Sequence, residues 1–568
     1  MSHCIIKKKT DKPRLINIKR RMIIMTMICK NVPVYPFAPQ SPFGINLHFP
    51  EGSEIPYVSL DEWKDFFAMF MEIGDFEIEL KLEKDNDKAT MIRTFGEGFE
   101  FPMVFDFTNN TISVMDYNFF FIEKKDGTLI RLHSTDEGYV KIGENNNELV
   151  GDEVTFDLSA YDIKMTREED KYYVPFQTIV DIFFGELPYT AAYNGEGVFF
   201  TTGEGFYDDD DELTEFGKLF YSVEPKTLSE ELGRFSYNEL RLSLDHFYGL
   251  KDLHGIKSFE KLFSNNAYDQ LLSSTDPKNA DVGLYQTIHY IINDQHSRYL
   301  SASPYSGADF TKQLKDKLGQ GPCRSETIAI KTKLLEKRKK FYPDGVPGYE
   351  EVGDTAFITF DGFTKPRRDY SSEAPTADDK DTIGIICYAM AQVLRENSPI
   401  KNVVLDLSLN LGGAAPAAGF VISSFLGDAY LSVRDSLTGA CGTYAYKSDS
   451  NFDREFDEKD TFANKDLRLF CLTSKVSFSC GNLVPCIFKQ GGDVALIGHR
   501  SGGGACGVTP MSTASGSVFN TSSNMQLSFL RNGSFYDVDQ GVDPDYYIHD
   551  LGFLYDRKAL VEYINSLK

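Results

Sequence analysis

The sequence predicts a chain of several units: an α/β layer with a mostly parallel sheet at the C-terminus, a helical stretch before it, and a β-rich α+β region at the N-terminus. Three observations carry this. From Gly353 onward, apolar strands and amphipathic helices alternate, the pattern of an α/β layer. Across residues 229–293, Leu240, Leu244, Phe247, Leu284, Ile288 and Ile292 recur at mostly three- and four-residue steps, the period of helices. Across residues 41–210, strictly alternating runs such as 76–82 mark half-buried strands. At roughly 100–200 residues per unit, the 568 residues allow about three to five units. The expected division is a leader or disordered segment at 1–40, β-rich accessory structure at 41–225, a helical cap and connector at 226–350, and the α/β domain at 351–568.

In chain order, residues 7–21 are basic and 22–29 are apolar, too short a run to span a bilayer, which takes about 20 residues. The segment reads as an unstructured leader, with a crude export signal as the alternative. Residues 55–60 run into an amphipathic stretch from Asp61, and residues 172–176 run likewise into 177–184. Both pairs predict a strand feeding a short helix, a faint internal echo. Residues 111–123 are dense in Ile, Val, Tyr and Phe and read as strand. The acidic run Asp208–Glu212 lacks the turn glycine and spaced ligands of a calcium loop and reads as a solvated boundary. Residues 301–349 are polar, with one helix expected. In the last unit, strands are expected at 356–360, 402–407, 466–472 and 494–497, and helices at 383–396, 415–426 and 479–489.

Composition narrows the function. Lys and Arg number 59 against 84 Asp and Glu, a net charge of −25, which repels nucleic-acid phosphates and anionic lipid heads. The nine cysteines are odd in number and form no C-x-x-C pair, so they read as buried thiols of a reducing compartment, favouring the cytoplasm. The same spacing argues against a zinc site, and no cofactor or metal is expected.

Three segments combine catalytic residue types with suitable local structure. Ser479 follows a predicted strand and opens a helix, where unpaired N–H groups and the helix dipole favour a developing oxyanion; a plain N-cap explains the same position. Cys480 beside it reads as a packed thiol. Asp406–Gly413 is a buried strand ending in two glycines, which permit close backbone approach. His296 ends the helical region, and His499 is its rival as a general base.

Together these segments resemble the tail-specific, or C-terminal-processing, serine peptidase family, in the branch that includes the core of tricorn protease. The resemblance rests on motifs in one order: Asp294-Gln295-His296-Ser297, Gly353–Ile358, Asp406–Gly413, Ser477–Asn482, Ala495–Gly504 and Asp539–Asp545. It implies crotonase-like ββα layers under the helical cap. It also implies Ser479 as nucleophile, with an oxyanion hole from the N–H groups of Gly412 or Gly413 and of Cys480. The Ser-Lys branch keeps a lysine past the serine, but none occurs between Lys489 and Leu551, so the base implied is His296. Asp539 is the implied orienting acid, with Asp537 second. Asn482 stands where many members carry Glu. The segment between Ser297 and Gly353 is too short for a PDZ domain of about 80–90 residues. Expected partners are peptides or unfolded proteins, with no nucleic acid and no membrane span. An inactive peptide-binding relative and an esterase are the alternatives.

Overall fold

The computed structural model describes residues 26–36, 43–73, 78–95, 98–121, 139–208 and 210–567. The alternation after Gly353 builds a six-stranded sheet in the spatial order Tyr349–Val352, Thr355–Thr359, Asn402–Asp406, Arg468–Thr473, Val494–Gly498, Tyr546–Tyr547. All neighbours are parallel except the first pair, which is antiparallel. The central strands read as continuous apolar runs because helices cover the sheet. Thr382–Val393, Ala415–Leu426 and Cys480–Gly491 pack into one core with Ile358, Leu405 and Cys471. On the opposite face, Phe357, Val404 and Phe470 pack with Leu560 and Ile564 of the C-terminal helix Arg557–Ser566. A buried ion pair pins that helix: Arg557 Nη2 donates to Asp406 Oδ2 at 2.8 Å.

The N-terminal region shares a sheet and an apolar core with the later chain. Val140–Leu149 pairs antiparallel with Cys441–Ser448, adding a strand to a second sheet that otherwise comes from the chain after Tyr237. One continuous apolar core runs from Val32 through Phe247 and Tyr299 to Met511 and Phe519. The acidic run, expected as a boundary, is bracketed by the Tyr207–Leu213 bridge. Buried polar contacts cross the same seam. Asn118 Nδ2 donates to Asp435 Oδ2 at 2.6 Å, and Gln177 Nε2 to Ser512 Oγ at 3.0 Å.

Other expectations are corrected locally. Residues 27–35, read as leader, form the strand Met27–Tyr35 inside a seven-stranded sheet; residues 1–25, with Cys4, lie outside the described residues. The Phe-rich stretch after Val114 turns into the helix Tyr117–Phe121, because its aromatics pack against Phe183 rather than line a strand face. Residues 301–349 hold two main helices, Phe310–Leu318 and Pro322–Phe341. The internal echo has a structural counterpart. Tyr57–Ser59 and Lys171–Pro175, each running directly into a helix, pair antiparallel with Val58 opposite Val174. Between them the single Trp63 is buried among Phe66, Phe67, Phe176, Phe183 and Phe184. No helix among the described residues is long and apolar enough to cross a membrane.

Candidate active site

Ser479 sits where the Arg468–Thr473 strand has ended and the Cys480–Gly491 helix begins. It does not cap that helix. Its backbone is at φ 56°, ψ −125°, and its side chain makes no capping bond. Such a conformation costs a non-glycine residue about 1–3 kcal/mol and persists only where the surroundings impose it. Here they do: Ser479 N donates to Gly503 O at 2.9 Å, while its own carbonyl accepts from Asn482 and Leu483 N. The hydroxyl makes no hydrogen bond among the described residues, so it is free to react.

The double glycine closes on this serine. A Cβ on Gly412 would lie 2.6 Å from Ser479 Cβ, and one on Gly413 would lie 2.2 Å from Phe363 O, so both positions exclude any side chain. Gly412 N donates to Asn410 Oδ1 at 2.8 Å. The N–H groups of Gly413 and of Cys480 itself both bear on the Cys480 sulfur. Burial pushes the Cys480 thiol up to about 12, the two N–H groups only partly opposing it, and its Sγ donates to Gly413 O at 3.2 Å. It is a packed thiol, not a thiolate nucleophile.

His296 lies at the end of the helical region. Its ring lies 4.6 Å from the ring of Phe478, the residue before the serine. His296, Phe478 and Leu411 line one cleft of about 560 Å³. No hydrogen bond joins His296 to Ser479 among the described residues; such bonds are commonly long in unliganded sites. Burial, the largest influence, holds the imidazole below the ordinary histidine value; Asp294 opposes this and Arg324 adds to it. His499 is elsewhere: its Nε2–H donates to Ile548 O at 2.6 Å and its ring stacks on Tyr547.

No hydrogen bond joins Asp539 or Asp537 to His296 among the described residues. Asp539 accepts from Ala505 N at 3.3 Å, and Asp537 accepts from Asp539 N at 2.8 Å. Burial and the Asp294 charge hold the Asp539 carboxyl above its ordinary value. The group against the imidazole is Ser522 Oγ, 3.5 Å from Nδ1, at the outer limit of a hydrogen bond. Ser522 donates its own proton to Asp294 Oδ2 at 2.6 Å. Asp294 also accepts from Ser297 Oγ at 2.8 Å and from His296 N at 3.0 Å. Asp294 was visible in the quoted motif, two residues before the histidine; Ser522, inside a long strand of serines and threonines, carried no signal.

Asn482 ties the serine's helix to the terminal loop. Its Nδ2 donates to Val538 O at 2.8 Å, and its Oδ1 accepts from Ser501 Oγ at 2.7 Å. Among the described residues no group of three or more His, Cys, Asp or Glu side chains is arranged to hold a metal ion.

Comparison with known proteins agrees with the motifs. Residues 386–548 match the model of peptidase family S41, the serine-type peptidase family to which the ordered motifs pointed. No curated protein sequence matches the chain. Among solved structures, the photosystem II D1 C-terminal processing protease is similar at 16% identity and a TM-score of 0.28, over 37% of this chain and 47% of that one. The chain thus spans about half of that protein's length. A lipoprotein from Streptococcus agalactiae is similar at 16% identity and a TM-score of 0.34, over 59% of this chain and 97% of that one. The tricorn protease is similar at 13% identity and a TM-score of 0.30, over 86% of this chain and 47% of that one.

Proposed function

We propose that this protein is a serine peptidase that hydrolyses peptide bonds through an acyl-enzyme. Ser479 Oγ attacks the scissile carbonyl carbon while His296 Nε2 takes the hydroxyl proton. The carbonyl oxygen, now negative, is held by the N–H groups of Gly413 and Cys480. The C–N bond then breaks, His296 returns the proton to the leaving amine, and a water molecule cleaves the ester by the reverse use of the same groups. Asp294, acting through Ser522, keeps the second imidazole proton on Nδ1 and so leaves Nε2 as acceptor. In this reading the α/β half is a crotonase-like stack of ββα layers, the 226–350 stretch is a cap that delivers the base, and peptides or unfolded proteins are the substrates.

The observation that carries the reading is the strained backbone of Ser479, whose hydroxyl makes no hydrogen bond among the described residues. An ordinary N-cap would show extended backbone and a spent side chain. The test is hydrolysis of an unfolded protein such as casein by the wild-type chain and by Ser479→Ala. Cleavage that vanishes in the variant supports the reading; equal rates from both overturn it.

A further inference from the structure

The base and the nucleophile come from different parts of the fold, so their separation has to be set by an element that touches both parts. His296 stands on the loop after the helical turn Thr287–Ile292, whereas Ser479 opens a helix of the α/β half. The helix Pro322–Phe341 reaches from one to the other. Its first turns clasp the loop that carries the base. Cys323 N donates to Asn293 Oδ1 at 2.9 Å, Arg324 Nη2 to Gln295 O at 2.8 Å, and Thr327 Oγ1 to Gln295 Oε1 at 2.8 Å. The clasp is tight: a Cβ on Gly321, at φ 75°, would lie 2.0 Å from His289 O. Farther along, Leu334 is buried behind the catalytic sheet with Phe357, Val404 and Phe470. One turn on, Arg338 makes a two-point contact with Asp361, Nη1 to Oδ1 at 2.7 Å and Nη2 to Oδ2 at 2.5 Å. Residues 360–363 are in turn stitched to the double glycine. Asn410 Nδ2 donates to Phe360 O at 3.0 Å, Leu411 N to Asp361 O at 3.4 Å, and Phe363 N to Gly412 O at 2.8 Å. Of the helix's 20 residues only Thr327 and Leu334 are buried, so it is held at points rather than along a face.

We infer that this helix is a strut that sets the distance between His296 and Ser479, with Gln295 and Thr327 as positioning residues at one end and Arg338 and Asp361 at the other. The inference rests on the reading of His296 as the base. A helix suits the task because its backbone bonds make it a rod; the eleven steps from Thr327 to Arg338 span about 16 Å. The base loop is held separately on its far side, where Ser522 donates to Asp294 and the strand Arg298–Ser301 pairs with Val518–Ser528. The strut braces it from the side of the α/β sheet. Attack and proton transfer need their atoms in register, and a misplacement of about 1 Å costs on the order of 10²-fold.

The test is the rate at which a fluorophosphonate labels Ser479 in the full-length chain, read at rising probe concentration so that the maximal rate separates from the half-saturating concentration. Thr327→Val keeps the shape and loses the hydroxyl. It and Arg338→Ala should each lower the maximal rate on the order of tenfold or more, with the half-saturating concentration within about twofold of wild type. Thr327→Ser should keep the wild-type rate. Thermal unfolding is recorded in parallel, and Asp361→Asn replaces Arg338→Ala if that variant does not fold. The double variant separates a strut from two local defects. Sites this far apart normally act independently, so their rate losses multiply. A strut freed at one end transmits nothing from the other, so the double variant should be little slower than the slower single one. Wild-type rates in both single variants overturn the inference, as do losses that multiply in the double variant, or a Thr327→Ser chain as slow as Thr327→Val. His296→Ala is labelled alongside. A wild-type rate there sinks the reading of the base and the inference with it; a slow His296→Ala beside unimpaired strut variants sinks the strut alone.

Discussion

Ser479 holds a backbone conformation that serine adopts only under constraint, and what constrains it is also what would make it reactive. Its N–H is spent on Gly503, its carbonyl on the first turn of the helix, and its side chain on nothing. Ser479→Ala should therefore lower hydrolysis on the order of 10³-fold or more while leaving the fold intact, as a rate assay alongside circular dichroism would show. His296→Ala should cost about as much, and the double variant little more, because the two act as a unit. The pH profile follows from the direction of the histidine shift. The base must be neutral to accept a proton, and its burial holds its pKa down, so activity should rise with pH through a limb lying below about 6.5. Asp294→Asn removes the one neighbour that raises that pKa. Its limb should move further toward acid while the maximal rate falls; a limb moving toward alkali would contradict the assignment. At this scale the helix-opening position of Ser479 was legible, because motif spacing records chain-local geometry. Ser522 was not, since it meets His296 only through a strand more than two hundred residues away.

At the scale of elements, two joints hold the site. The first is the buried pair between Arg557 and Asp406, which fixes the C-terminal helix to the strand leading into the double glycine. Arg557→Ala leaves a carboxylate buried beside Ser408 without its cation and should cost about 3–5 kcal/mol, read by urea denaturation. The second is Asn482, whose side chain spans from the serine's helix to Val538 and Ser501. Asn482→Ala removes both bonds but leaves the Val538 carbonyl its bond from Gly541 N, and should cost about 0.5–1.5 kcal/mol, measured the same way. The alternating elements after Gly353 were read correctly to within a few residues, because parallel strands covered on both faces are short, apolar and sharply punctuated. The stretch 117–121 was misread because buried aromatics do not distinguish a strand from a short helix when tertiary packing decides. Of the two helices in 301–349 only one was expected, because the apolar residues of 322–341 do not gather on one face.

Across the whole molecule, the N-terminal region and the catalytic half share a sheet and a core. This was not legible in the sequence, because strand pairing between Val140–Leu149 and Cys441–Ser448 leaves no local trace. The seam carries buried carboxyls: Asp181 and Glu239 lie together, and burial pushes Asp181 up to about 7 and Glu239 well above its ordinary value. A carboxyl whose folded pKa is raised contributes most stability below its unfolded value of about 4. That contribution is lost as pH rises from there through the folded pKa, about 7 for Asp181. Thermal unfolding should occur at a higher temperature near pH 5.5 than near pH 8, and Glu239→Gln should reduce the difference. The most direct test of the peptidase reading needs no substrate. The wild-type chain is treated with a fluorophosphonate and the adduct is mapped by peptide mass spectrometry. A single adduct on Ser479, abolished in Ser479→Ala and much slowed in His296→Ala, is the result expected. An unmodified Ser479, or labelling indifferent to His296, would contradict a histidine-activated serine nucleophile at this site.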